Sequence, residues 1–246
     1  MNLPSPLIAS LAVFGLWTSA SQAVAECQAP QRTQTLPGYA LCKDWPAFPG
    51  QTLTVLSELQ PDPVLGNASD DGLYDLRLAL VDSASGKTLA RYQQPSAFMS
   101  DAVGLESLTL DTGRYQLAPQ VRAFGVRASF KGSSRVNPMD QVSLNLYVRE
   151  GENLRPVMDK FLAYSYSGEW DGNCAGERTE TTRTLDIAKT RSHGYADLIV
   201  RSVTLTTTGK GQGEQCQSRS VTAKPVLTTL RYDGQRYVLP QGFQSL

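Results

Sequence analysis

Apolar side chains recur at every second position through much of this chain, and that spacing dictates strands. In YDLRLALV, Tyr74, Leu76, Leu78 and Leu80 fall on one face, with Asp75 and Arg77 on the other. The turn cluster Asp82-Ser83-Ala84-Ser85-Gly86-Lys87 and then TLARY complete a hairpin. RAFGVRASF puts Phe124, Val126, Ala128 and Phe130 together, and QVSLNLYVRE does the same with Val142, Leu144, Leu146 and Val148. Glu150-Gly151-Glu152-Asn153 then turns the chain into LRPVM. TETTRTLDI is Thr-rich, as strands often are. YADLIVRSVTLTTT and SVTAKPVLTTLRY flank the loop GKGQGEQ, and Asp233-Gly234 separates LTTLRY from RYVLP.

Helical spacing is scarce. RPVMDKFLAY fits a short turn or helix and also a strand. Strands at intervals of roughly ten residues, with turns between them, predict a mainly β, antiparallel, hairpin-rich sandwich or barrel with little helix. The pattern does not choose between the two. Residues 26–50, rich in Pro and Gln, read as a disulfide-pinned N-terminal arm, and 51–246 as the antiparallel β domain.

Residues 1–25 read as a secretory signal peptide. The apolar run LIASLAVFGLW is too short for the roughly 20 residues that span a bilayer, and it suits an export h-region. Ala23-Val24-Ala25 has the small–x–small form that precedes cleavage, so the mature chain is expected to start at Glu26. Glu26, large and charged, stands where lipoprotein processing needs a small residue, so Cys27 reads as an ordinary cysteine. The expected location is periplasmic or secreted, with no membrane span. The 23 basic and 23 acidic residues cancel, which leaves no field for nucleic acid.

Four cysteines, Cys27, Cys42, Cys174 and Cys216, argue for two disulfides in an exported chain. Three pairings are possible. Cys27–Cys42 and Cys174–Cys216 are favoured because each joins cysteines of one region. A zinc site with His193, the single histidine, lacks CxxC spacing, so no metal is expected.

Few residues suggest catalysis. His193, in RSHGYADL, is the only candidate base for a Ser-His-Asp triad, but it sits in an apparent turn and no GxSxG elbow exists. Asp111-Thr112-Gly113 spells the DTG of aspartic proteases, yet Arg114 follows and no second copy exists, so a tight turn is the plainer reading. The run Glu169-Trp170-Asp171-Gly172-Asn173-Cys174 pairs two carboxylates with an aromatic ring, as glycosidases do, but reads better as a turn stapled by Cys174. Asp70, Asp71 and Asp75 do not match an EF-hand loop, and Asn67-Ala68-Ser69 has the form of a glycosylation sequon. Leu162, Tyr164 and Tyr166 form a one-sided stripe that is expected to be core. If exposed, Tyr164, Tyr166, Glu169, Trp170 and Asp171 would make a binding surface for a sugar or a protein. No Walker loop or dinucleotide fingerprint occurs, and no cofactor is expected.

The segments YQLAPQVRAFGVRASFKGSSRVNP, LNLYVREGENLRPV and GEWDGNCAGE resemble, in this order, secreted proteins of Gram-negative bacteria with no assigned activity. The end of the chain, HGYADLIV to LRYDGQRYVLP, is similar to a recurrent tail of periplasmic proteins. Together these cover about half of the mature chain. The resemblance implies a periplasmic location and β structure and assigns no catalytic residue. The tail is also similar to integrin-type calcium repeats, but their Asp-rich loop is missing before Ala196, which argues against a propeller.

The expectation is therefore a periplasmic binding protein acting on an envelope protein, an enzyme that it inhibits, or a glycan. The alternative is a carboxylate-dependent hydrolase using Asp111, Glu169 or Asp171.

Overall fold

A computed structural model describes residues 27–32, 36–61 and 70–245. The segment read as a signal peptide, its expected cleavage point and the Asn67 sequon lie outside them. The chain is mostly β with almost no helix, and its main sheet is a nearly closed, barrel-like structure. The strands in chain order are β1 (Gly38–Asp44), β2 (Gln51–Leu59), β3 (Gly72–Asp82), β4 (Thr88–Ser100), β5 (Val103–Asp111), β6 (Gln116–Ala118), β7 (Val121–Arg122) and β8 (Phe124–Gly132). They continue with β9 (Met139–Glu150), β10 (Asn153–Trp170), β11 (Gly176–Ser192), β12 (Tyr195–Lys210), β13 (Gln217–Thr222) and β14 (Val226–Leu230).

Two antiparallel runs build the barrel wall. One is β1-β2-β3-β4; the other is β5-β8-β9-β10. β4 meets β10 at a single parallel pair, Arg91 with Asn153. β1 meets β5 through side chains: the Tyr39 hydroxyl donates to Leu105 O, and Lys43 Nζ donates to Leu110 O at 3.1 Å. Gly38–Asp44, inside the segment expected to be an N-terminal arm, is thus a strand of the wall, and Leu36 and Trp45 beside it enter the core.

The period-two pattern explains the filling. Tyr74, Leu76, Leu78 and Leu80 of β3 are each at most 2% exposed and point into the barrel, as do Phe124, Val126, Ala128 and Phe130 of β8. β9 is buried on both faces. Tyr147 belongs to the barrel core, while Leu144, Leu146 and Val148 belong to a second core outside the wall. Val157, Met158 and Phe161 of β10, Leu198 and Val200 of β12, Leu117 of β6 and the C-terminal Tyr232 and Tyr237 close over that outer core. Tyr237 N–H to Val157 O (2.7 Å) and Leu162 N–H to Phe243 O (2.8 Å) fasten the C-terminal segment along β10. RYVLP forms only an isolated bridge, Tyr232 with Tyr237, rather than a strand. SVTAKPVLTTLRY is likewise two strands, β13 and β14, interrupted at 223–225 where Pro225 has no N–H to give.

Beyond the barrel, β10, β11, β12 and β13 continue as an antiparallel arm. Its Thr-rich surface is half exposed, and Thr181 and Thr204 hydrogen-bond across it at 3.0 Å. The disulfides are Cys27–Cys42 and Cys174–Cys216, the latter at the arm's tip.

Candidate functional site

Residues paired across a ladder share a face. Tyr164, Tyr166 and Trp170 of β10 pair with Thr182, Glu180 and Gly176 of β11, and Gly168 pairs with Arg178, so all eight lie on one face of the arm. A register shift between Leu162 and Tyr164 puts Leu162, which pairs with Ser143, on the other face. The expected stripe is therefore broken by a bulge. Leu162 is buried, whereas Tyr164 and Tyr166 are half-buried at the surface. Burial, and then the nearby charges of Glu180 and Asp140, raise the pKa of Tyr164.

Trp170 is seated by absent side chains. A Cβ on Gly209, which pairs with Gly176, would stand 2.8 Å from Trp170 Cη2. A Cβ on Gly168 would stand 2.9 Å from Arg178 Cγ. Glycine at these positions lets the indole cross the neighbouring strands and lets Arg178 reach back over it. The Arg178 guanidinium carbon lies 4.1 Å from the ring centroid, a cation–π contact. Trp170 N–H also donates to Val136 O at 2.7 Å, which draws the β8–β9 loop alongside.

Together they form a groove of about 420 Å³ lined by Lys131, Arg135, Asp140, Tyr166, Trp170 and Arg178. Three of these are cations. Lys131 has an exposed ion pair with Glu106 at 3.8 Å, which water screens. Arg178, held over the ring, offers a planar guanidinium fork to a carboxylate or phosphate. Neither Arg178 nor Arg135 stood out in the sequence, because no local signal announces which strand will lie across a tryptophan.

The remaining expected site residues are dispersed. Glu169 points from the opposite face, paired with Glu177. Asp171 belongs to the tip turn: its Oδ1 accepts Asn173 N–H (2.8 Å) and Cys174 N–H (2.7 Å). Those amides, Asn173 first, hold its carboxyl below the usual carboxylate range. Asp111, at the end of β5, accepts from the Tyr115 hydroxyl (2.8 Å), Gly113 N–H (2.8 Å) and Arg127 (2.7 Å). Burial pushes its carboxyl up, but these donors outweigh burial and leave the pKa lowered. Asp111, Glu169 and Asp171 thus sit in three separate settings. His193 and Gly194 are the two central residues of the β11–β12 hairpin, both with positive φ (47° and 88°), as a type I′ turn requires. His193 Nδ1 lies 2.9 Å from Tyr232 O, which ties the turn to the C-terminal segment.

No helix among the described residues is long and apolar enough to cross a membrane. Searches against family models, curated proteins and solved structures find no match.

Proposed function

We propose that this is an exported, non-catalytic binding protein whose arm groove holds an acidic glycan. The observation that carries the reading is Arg178, held over Trp170 beside Arg135 and Lys131. A groove with one cation above an indole and two more beside it suits a polymer that is negatively charged yet offers faces for stacking. The open groove, which mixes charged and aromatic side chains, suits a sugar chain better than the apolar core of a protein interface. Two disulfides support an oxidising, extracytoplasmic setting, which we take to be the periplasm.

Calorimetric titration with polygalacturonate, with neutral dextran as control, tests the ligand. Saturable binding to polygalacturonate that weakens with salt is expected, with none to dextran. Arg178→Ala should weaken it about tenfold, the worth of one charge-assisted contact. Equal binding by the variant, or binding of dextran, would sink the reading. The intact mass of the protein from a periplasmic fraction tests export, with a chain beginning at Glu26 and both disulfides closed as the expected result.

A further inference from the structure

The barrel wall is open between β4 and β10, and we propose that this opening binds a small amphipathic carboxylate whose charged end meets Lys160. The inference rests on the wall between β4 and β10 rather than on the arm.

After Arg91 pairs with Asn153, β4 continues to Ser100 along β3 alone. The split leaves a cavity of about 300 Å³. Phe98 and Phe130 lie at its apolar end with ring centroids 6.3 Å apart, and Met139 adds to that surface. Met99 stands at the rim, 62% exposed, a large apolar side chain left in water. Its flexible thioether suits closing over a guest. At about 30 Å³ for each water-sized group, the cavity holds roughly ten non-hydrogen atoms.

The polar end is built from a bulge. β10 carries extra residues between Met158 and Phe161, opposite Asn145 of β9. Lys160 there has φ +52°, a conformation that glycine adopts freely and residues with a Cβ do not. Its backbone is held from both sides: its N–H donates to Asn145 Oδ1 at 2.6 Å, and its carbonyl accepts from Ser245 N–H at 2.9 Å. Across the split, Ser96 of β4 also has positive φ, 50°. Bulges and strained residues of this kind re-aim side chains at sites. Glycine would make the same bend more easily; here the bend carries an exposed lysine that lines the cavity. Among the described residues the ion pairs engage Arg77, Arg127, Lys131 and Arg155, not Lys160. Asp101, the acid on the rim, uses Oδ1 to accept Val103 N–H at 3.1 Å. An apolar end and one unpaired cation fit an anion with an apolar body.

The test is calorimetric titration of the purified, disulfide-bonded protein with octanoate, and with octanol and octylamine as controls. Octanoate should bind saturably, and each control about tenfold more weakly. Lys160→Gly should bind octanoate about tenfold more weakly while its Tm stays at or above that of the parent, because the bend relaxes. Lys160→Gln, which keeps the strained backbone and loses only the charge, should show the same loss. Arg178→Ala should bind octanoate normally, which separates this site from the arm groove. The proposal is overturned by no saturable octanoate binding, by equal binding of octanol, by unchanged binding in either Lys160 variant, or by loss in Arg178→Ala.

Discussion

Trp170 is held between two neighbours on different strands: Gly209 of β12 at its edge and Arg178 of β11 over its face. The guanidinium stands 4.1 Å from the ring centroid, and a methyl on Gly209 would stand 2.8 Å from Cη2. The same methyl would also press on the Cys174 carbonyl, which is backbone and cannot swing away. Gly209→Ala is therefore expected to cost about 1–3 kcal/mol as an overpacking change. Urea unfolding measures the loss. Near-ultraviolet dichroism should show the tryptophan signal altered, and an unchanged signal would contradict the seat described for the ring.

Glu169 and Glu177 face each other directly across the β10–β11 ladder. Both are exposed, and like charges so placed repel. Glu177→Lys turns the pair into an attractive one and should stabilise the protein by about 0.2–1 kcal/mol at low salt. The gain should shrink as salt rises, since surface charges are screened. Thermal melts at two ionic strengths decide the matter.

Asp111 makes stability depend on acid. Its folded pKa is lowered, so the ionised carboxylate stabilises the fold above about pH 4, the unfolded value. That contribution fades as pH falls through the lowered folded value. Asp111→Asn should cost about 1–3 kcal/mol at neutral pH, because Arg127 loses its charged partner. The gap between parent and variant should narrow towards pH 3. Its neighbour Tyr115, whose hydroxyl burial pushes up to about 12, stays protonated throughout. Urea midpoints at several pH values provide the check, and a gap that does not change with pH would refute the assignment.

The Cys174–Cys216 bridge closes a separation of 42 residues. Restricting that loop in the unfolded chain is worth about 4 kcal/mol in the chain-entropy account. Replacing both cysteines with serine should lower stability by up to that amount. It should also weaken polygalacturonate binding, because the turn that carries Asp171 leads straight into Trp170. Binding that survived intact would show that the groove is held by its strands alone.

The barrel interior was legible because alternation in β3 and β8 carries one buried face each, and a single face is what period two encodes. β9 was half legible: of the expected face, Leu144, Leu146 and Val148 lie in the outer core while Val142 is only half-buried, and nothing local said that Tyr147 would be buried behind them. The outer core needs the C-terminal segment to come back to β10, a contact between distant residues. The stripe Leu162–Tyr164–Tyr166 misread as one face because a bulge adds a residue that the pattern does not reveal. Trp170 stood out by its chemistry, yet its seat depends on Gly209 and its cover on Arg178, both on other strands. Lys160 was invisible for a further reason: positive φ at a lysine is imposed by Asn145 and Ser245, not by its own preference.

β10 runs from the barrel wall to the tip of the arm as one bulged strand, and Lys160 and Trp170 are ten positions apart on it. At about 3.3 Å per residue, and with bulges that bend it, the strand sets them at most roughly 30 Å apart. Two short molecules would occupy its two ends without touching. They would also lie on opposite faces of the sheet, because Phe130 at the cavity points into the barrel and its neighbour Lys131 at the groove points away from it.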